Sequence, residues 1–289
     1  MNPKSIRKAI LHYNASKKEA LEAKDEIIAF LTERGVEVEE RHNKKLATWG
    51  ESKIPHFKYS DRSSRASFKM GDDAKMLLQF KGRLTDENAG MLITLGGDGT
   101  LLFYKGLYNL PIFAIGSKTS YLCQARMDNW EPKLAYVLKN CETKKHPTLQ
   151  AKFGAHLTEP AMNEICVKNP RHRMLRFVLK VKGKEYRFGA DGVIFSTALG
   201  SSGYAYSAGG SEFVNSKNYE LVPVAPHRRL LKPMFASIDA PAELKILSRY
   251  RHDVVDVVVD GQLIYEMGLN ASLIVMKSKK EVSMFKVKK

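Results

Sequence analysis

The sequence is poor in cysteine, with three among 289 residues, and poor in tryptophan, with two. Cys123, Cys141 and Cys166 show no C-x-x-C spacing, which excludes a disulfide framework and a cysteine-based zinc site as organising principles. They read as reduced thiols of a cytoplasmic protein. No apolar run reaches the roughly 18 residues a membrane-spanning helix needs. The opening MNPKSIRKAILHYNASKK has too short an apolar stretch for a signal peptide. Acidic residues are outnumbered, 31 Asp and Glu against 47 Lys and Arg, for a net charge of +16. That excess favours polyanionic partners (nucleic acid, anionic membrane or phosphorylated metabolites) without choosing among them. Two familiar phosphate motifs are missing as well. There is no G-x-x-x-x-G-K-[ST], of which Gly116–Ser120 carries only the tail, and no complete G-x-G-x-x-G. A P-loop NTPase and an ordinary dehydrogenase are thereby set aside.

What is present is an apolar share of 44%, ordinary for a chain that buries a core. The first half alternates strand and helix patterns. Lys8–Tyr13 reads as a strand. A helix follows, with Ser16 as N-cap and Glu19 completing a capping box. Its apolar face is Ala20, Ala23, Ile27, Phe30 and Leu31, and Gly35 stops it. Val36–Glu40 alternates like a strand. His42 to Gly71 is polar and reads as a long loop or insertion. A helix is expected over 73–84, a buried strand over Met91–Leu95, a helix over 101–108 and a strand over Pro111–Gly116. From about Pro147 onward the patterns are strand-like, with turns expected at Gly183–Lys184, Asp260–Gly261 and Ser278–Lys279. The expected fold is an α/β N-terminal domain, residues 1–128, with a Rossmann-like parallel sheet. A mostly-β C-terminal domain of β-sandwich type, residues 129–289, follows.

The chemistry concentrates in two places. Gly96-Gly97-Asp98-Gly99-Thr100 directly follows the buried strand. At a strand's carboxyl end before a helix, glycines let backbone N–H groups approach a phosphate. A carboxylate there repels phosphate, so Asp98 makes sense as a proton acceptor or a metal ligand. The competing reading is a tight turn with Asp98 as N-cap. The second place is the run from Ala190 to Gly210, ADGVIFSTALGSSGYAYSAGG, with Asn163–Glu164 upstream. Glycine and serine can close around a ligand, and an amide beside a carboxylate can read an adenine edge or ribose hydroxyls. A flexible loop and a simple turn are the competing readings.

Taken in order, these residues resemble the NAD kinase family, which shares its architecture with the diacylglycerol and sphingosine kinases. The family pattern of GGDGT, an Asn-Glu pair, a DG, a T-P-T-G-S-T-A-Y-x-x-S-A-G-G loop and a DGQ appears as Gly96–Thr100, Asn163–Glu164, Asp191–Gly192, Thr197–Gly210 and Asp260–Gln262. Leu221–His227 is similar to the family's L-x-P-x-x-P-H, and the resemblance spans Met91 to Met276. It implies transfer of a phosphoryl group from ATP, or from polyphosphate, to the 2′-hydroxyl of the adenosine ribose of NAD, giving NADP. It further implies Mg²⁺ or a similar divalent cation, with metal ligands unknown, and a homo-oligomer, dimer or tetramer. Carried over by position, Asp98 is the catalytic base, and Gly96, Gly97, Gly99 and Thr100 hold ATP phosphates. Asn163, Glu164, Asp191, Ser202, Tyr204, Ser207 and Asp260 bind NAD. The chain departs from the pattern at Ala198, Leu199 and Gly203, and Gly116–Cys123 lacks the glycines of the family's N-x-G-x-L-G-F-L. Lys118 there is an added cation near phosphates or a solvated loop lysine. The alternatives are a kinase of the same architecture for another adenosine-containing acceptor or a lipid, and a basic nucleotide- or nucleic-acid-binding protein. No nucleic-acid motif supports the last.

Overall fold

The computed structural model describes residues 6–41, 56–60, 67–70, 88–154, 156–171, 173–247, 254–268 and 272–288. The chain forms two compact units. Unit 1 comprises residues 1–53, 77–145 and 282–289, and unit 2 residues 54–76 and 146–281. The helix expected over 73–84 lies outside the described residues.

Unit 1 opens with β1 (Lys8–Tyr13), α1 (Lys18–Thr32) and β2 (Glu37–Glu40). The next strands, β3 (His56–Ser60) and β4 (Ser67–Met70), belong to unit 2. The chain then returns to unit 1 with β5 (Met91–Leu95), α2 (Asp98–Tyr104), β6 (Ile112–Gly116), the two-residue β7 (Ala125–Arg126) and α3 (Trp130–Asn140). The strands align β6-β5-β1-β2, and every pairing among them is parallel. β5 and β6 are buried along their whole length, as strands covered on both faces must be. Helix α1 buries Ala20, Ala23, Ile27, Phe30 and Leu31, the stripe expected from 3.6-residue spacing. The capping box does not form. Lys17 is the N-cap and makes no side-chain cap bond, so Ser16 stands one residue before the cap position, its hydroxyl donating to Asn14 Oδ1 at 2.6 Å.

Unit 2 continues from β8 (Thr143–Phe153) and β9 (His156–Leu157) through β10 (Glu164–Lys168), β11 (Leu175–Val181), β12 (Lys184–Ala190) and β13 (Gly192–Ser196). After the four-residue α4 (Tyr204–Ser207) come β14 (Asn218–Val224), β15 (Met234–Ser237), β16 (Ala242–Leu247), β17 (Val254–Val259), β18 (Leu263–Gly268) and β19 (Ser272–Phe285). One sheet runs β15-β14-β13-β10-β17-β18-β3-β4, antiparallel except at β18–β3. In the other, β12, β11, β16 and β19 pair antiparallel in that order. The α/β and mostly-β divisions of the chain are thus both present.

Two expectations need correction. The polar segment 42–71 contains β3 and β4 rather than loop alone, and residues 54–76 belong to unit 2, in line with the insertion reading. β3 pairs with β18, far along the chain, and β4 pairs back onto β3, so long-range ladder formation overrides a weak local pattern. The turn expected at Ser278–Lys279 is absent, since β19 continues through it. Thr148 Oγ1 donates to the Lys280 carbonyl at 2.5 Å, and β8 pairs along the strand.

Ile27 is fully buried in the unit 1 core against the sheet residues of β1, β5 and β6. Ile27→Ala is expected to cost about 2–5 kcal/mol of unfolding free energy through lost burial and a residual cavity. Equilibrium denaturation measures it.

Candidate active site

In unit 1 the sheet order fixes where a ligand can sit. From β1 the chain moves to β2 on one side, and from β5 to β6 on the other. The carboxyl ends of β1 and β5 therefore flank the switch point of the sheet, where open α/β sheets bind their ligands. Asn14–Lys17 follows β1 and Gly96–Thr100 follows β5. The two turns are tied together: the Asn14 amide donates to Leu95 O at 2.9 Å, and Lys17 Nζ donates to Gly96 O at 2.6 Å. The glycines are sterically required. Gly96 and Gly97 have φ of +155° and +144°. A Cβ on Gly96 would lie 2.6 Å from Thr100 Oγ1 and 2.8 Å from Asn14 Cβ.

Asp98 is the first residue of α2, whose N-cap is Gly97, and no side chain caps that helix. The N-cap reading of Asp98 is thereby removed. Its half-buried carboxylate instead grips the loop after β6. Oδ2 accepts the Tyr121 amide at 2.8 Å, Oδ1 accepts the Leu122 amide at 3.0 Å, and the Cys123 thiol donates to Oδ1 at 3.3 Å. Burial, reinforced by this carboxylate, pushes the Cys123 thiol well above its ordinary pKa and keeps it protonated. Gly99 and Lys118 are exposed, and Thr100 is half-buried beneath Gly96.

In unit 2 the register builds a second constellation. Glu164 opens β10 opposite Ser196 at the end of β13, while Ile165 faces Val259 at the end of β17. The Asn163–Glu164 pair is therefore flanked by Thr197 on one side and Asp260 on the other. Asp260 Oδ1 accepts the amides of Asn163 (2.7 Å) and Glu164 (3.1 Å), and Oδ2 accepts that of Met162 (2.9 Å). Asp260 is 4% exposed, so its carboxylate serves the backbone beneath the pair. Thr197 closes the other side, its amide bonding Asn163 O at 2.8 Å and its hydroxyl Met162 O at 2.5 Å. A Cβ on Gly200 would lie 2.3 Å from Asn163 O, so only glycine lets the loop approach this closely.

The side chains of the pair are poised differently. Asn163 Oδ1 is buried with no hydrogen-bond partner among the described residues. Burial, with the Asp260 carboxylate adding to it, pushes the Glu164 carboxyl up to about 8. Above them α4 buries Ala205 against Cys166, Ile194, Val222 and Val258. Tyr204 is 43% exposed, and its phenol is raised by partial burial and by the fields of Cys166, Glu164 and Asp191. Tyr204 is therefore electrostatically close to two of the other sequence candidates. Asp191 and Ser207 are exposed, and Ser202 and Leu199 are half-buried in the same loop.

Three contributors escaped the sequence reading. Lys17 and Cys123 lie far from GGDGT in sequence, and only the β1–β5–β6 ladder brings them to it. Glu220 is buried in β14 and accepts the Ser211 amide on both oxygens, at 3.1 and 2.9 Å, closing the far end of the glycine-serine loop. A lone glutamate in a strand carries no local signal. Among the described residues, no group of three or more His, Cys, Asp or Glu is arranged to hold a metal ion. No helix there is long and apolar enough to cross a membrane.

The ATP-NAD kinase C-terminal domain family matches residues 162–287. The NAD kinase of Methanocorpusculum labreanum is 30% identical over 200 residues, 67% of this chain and 72% of that protein. That of Archaeoglobus fulgidus is 32% identical over 184 residues, 61% and 70%. A crystal structure of an NAD kinase from Archaeoglobus fulgidus in complex with ATP superposes with a TM-score of 0.70 at 25% identity, covering 97% of this chain and 94% of that one. Yeast NADH kinase, at 18% identity and a TM-score of 0.74, covers 99% and 84% and shares the fold.

Glu164 generates a pH prediction. With a carboxyl near 8 in the folded chain against an ordinary 4.5, the native state holds a proton that the unfolded state releases. The contribution of Glu164 to stability is therefore fully present below about 4.5 and is lost as pH rises through about 8. Glu164→Gln is expected to flatten that part of the profile, measured as melting temperature against pH. An unchanged slope in the variant would contradict the protonated, buried state of Glu164.

Proposed function

The chain belongs to the NAD kinase family, and from that premise we propose that it transfers the γ-phosphoryl group of ATP to the 2′-hydroxyl of the adenosine ribose of NAD, giving NADP. The observation that carries the reading is the pair of pre-built constellations, one around Asp98 and one around Asn163–Glu164.

In this reading the switch-point turn of unit 1 serves the donor. Gly96, Gly97, Gly99 and Thr100 approach the phosphates, and Lys17, tied to Gly96 O, adds positive charge beside them. Asp98 is the proton acceptor. Its carboxylate keeps a free lone pair after accepting its loop donors. As the 2′-oxygen bonds to the γ-phosphorus, the bond from that phosphorus to the bridging oxygen breaks and ADP leaves. The hydroxyl proton passes to Asp98. Unit 2 recognises the acceptor. Asn163 Oδ1, buried and unpartnered, suits an amine of adenine, and a protonated Glu164 can donate to a ribose oxygen. Tyr204, Ser202 and Ser207 line the dinucleotide, Asp191 serves its nicotinamide side, and Asp260 positions the Asn163–Glu164 backbone. A divalent cation, Mg²⁺ or similar, would neutralise charge on the transferring phosphates when bound. Polyphosphate as donor, a β-sandwich form for the second domain and assembly as a dimer or tetramer complete the proposal.

Purified protein with NAD, ATP and Mg²⁺ is expected to form NADP. Parallel thermal shifts with NAD, ATP–Mg²⁺ and RNA separate this from the nucleic-acid reading. Asp98→Asn is expected to lower kcat by roughly a hundred- to ten-thousand-fold while the Kd for NAD stays within a few-fold. A kcat within about threefold of wild type would remove Asp98 from proton transfer. Leu199→Thr, a hydroxyl added in the loop near the acceptor, is expected to shift KM for NAD more than kcat, since such contacts act on ground and transition states alike.

A further inference from the structure

The three donors on Asp98 do not treat its two oxygens equally. Oδ2 accepts one, the Tyr121 amide. Oδ1 accepts two, the Leu122 amide and the Cys123 thiol. A carboxylate oxygen presents two lone pairs, so Oδ1 is saturated and Oδ2 has one lone pair open. The asymmetry depends on Cys123, because the two amides alone would leave both oxygens alike. The thiol is held in place by its own neighbours. Its sulfur would be 2.8 Å from a Cβ on Gly116, as the Ser120 hydroxyl would be at 2.3 Å, so β6 gives way to both side chains by carrying glycine there.

We propose that Cys123 is a positioning residue for phosphoryl transfer, donating its S–H to Asp98 Oδ1 so that Oδ2 is the oxygen that receives the hydroxyl proton. The inference rests on the reading of Asp98 as the proton acceptor. The charged and titratable groups around the pair are Lys17, whose field reaches the sulfur, and the Asp98 carboxylate itself, with the Ser120 hydroxyl also bonding the sulfur. Burial and the carboxylate keep the thiol protonated and hence a donor. The role acts through Asp98, so removal of Cys123 should act on turnover and not on binding.

The test compares the unaltered chain with Cys123→Ala, Cys123→Ser and Asp98→Asn. Cys123→Ala is expected to lower kcat roughly three- to tenfold, the scale of one hydrogen bond, with KM for NAD and ATP unchanged. Cys123→Ser, which restores an O–H donor, is expected to return kcat to within about twofold of wild type. A second arm needs no change at position 123. Alkylation of Cys123 by iodoacetamide, followed by peptide mass spectrometry, should be faster in Asp98→Asn than in the unaltered chain, because removing the carboxylate charge releases the thiol proton more readily. A wild-type kcat in Cys123→Ala, a serine variant no better than alanine, or equal alkylation rates would each overturn the proposal. If Asp98→Asn itself retains wild-type kcat, the proton-acceptor reading fails instead. If Asp98→Asn is inactive while Cys123→Ala is not, only the role of Cys123 falls.

Discussion

Irregular backbone can be held in one shape inside a protein only if its N–H groups find acceptors. In this chain buried and half-buried carboxylates supply them at each loop that matters. Asp98 takes the amides of Tyr121 and Leu122, Asp260 takes those of Met162, Asn163 and Glu164, and Glu220 takes that of Ser211 on both oxygens. Each of these acids fixes a stretch of non-repetitive chain beside a candidate ligand contact. The glycines of the same loops follow from this tight closure. Gly96 and Gly200 stand where the chain approaches other atoms too closely for a side chain.

The arrangement also explains how a chain of strongly positive charge concentrates its acidic groups. A carboxylate surrounded by amide donors is stabilised without a cation partner. The positive charge can then remain for the phosphates of the substrates, with Lys17 at the lip of the Gly96 turn as the nearest instance. Burial still outweighs the Ser211 amide at Glu220, whose carboxyl is raised, and at Glu164 the Asp260 charge adds to burial and keeps the proton on.

What was legible in the sequence was local. The face of α1 could be read because Ala20, Ala23, Ile27, Phe30 and Leu31 obey the helical period, and Lys8–Tyr13 and Met91–Leu95 because runs of apolar residues between turn signals make buried strands. The ordered motifs pointed to the family. The unread parts depend on partners distant in sequence. β3 pairs with β18 and carries β4 with it, β19 passes straight through an expected turn because β8 lies along it, and α1 starts one residue late for Ser16 to cap it. Cys123 looked like an inert core thiol, since nothing in its own segment reveals Asp98 as its neighbour.

The path of β19 bears on the order of events at the ribosome. Its final residues return to unit 1: Met284 pairs with Ile112, Phe285 joins the core of α1, β1 and β5 and accepts a hydrogen bond from Gln124, and the Lys286 amide bonds Glu142 O. The sheet that carries Asp98 is translated early and β7 soon covers the Ile115–Gly116 end of β6, yet the partner of Ile112 emerges only after the whole of unit 2. During synthesis that stretch of edge stays open, a template for unwanted pairing until β19 arrives.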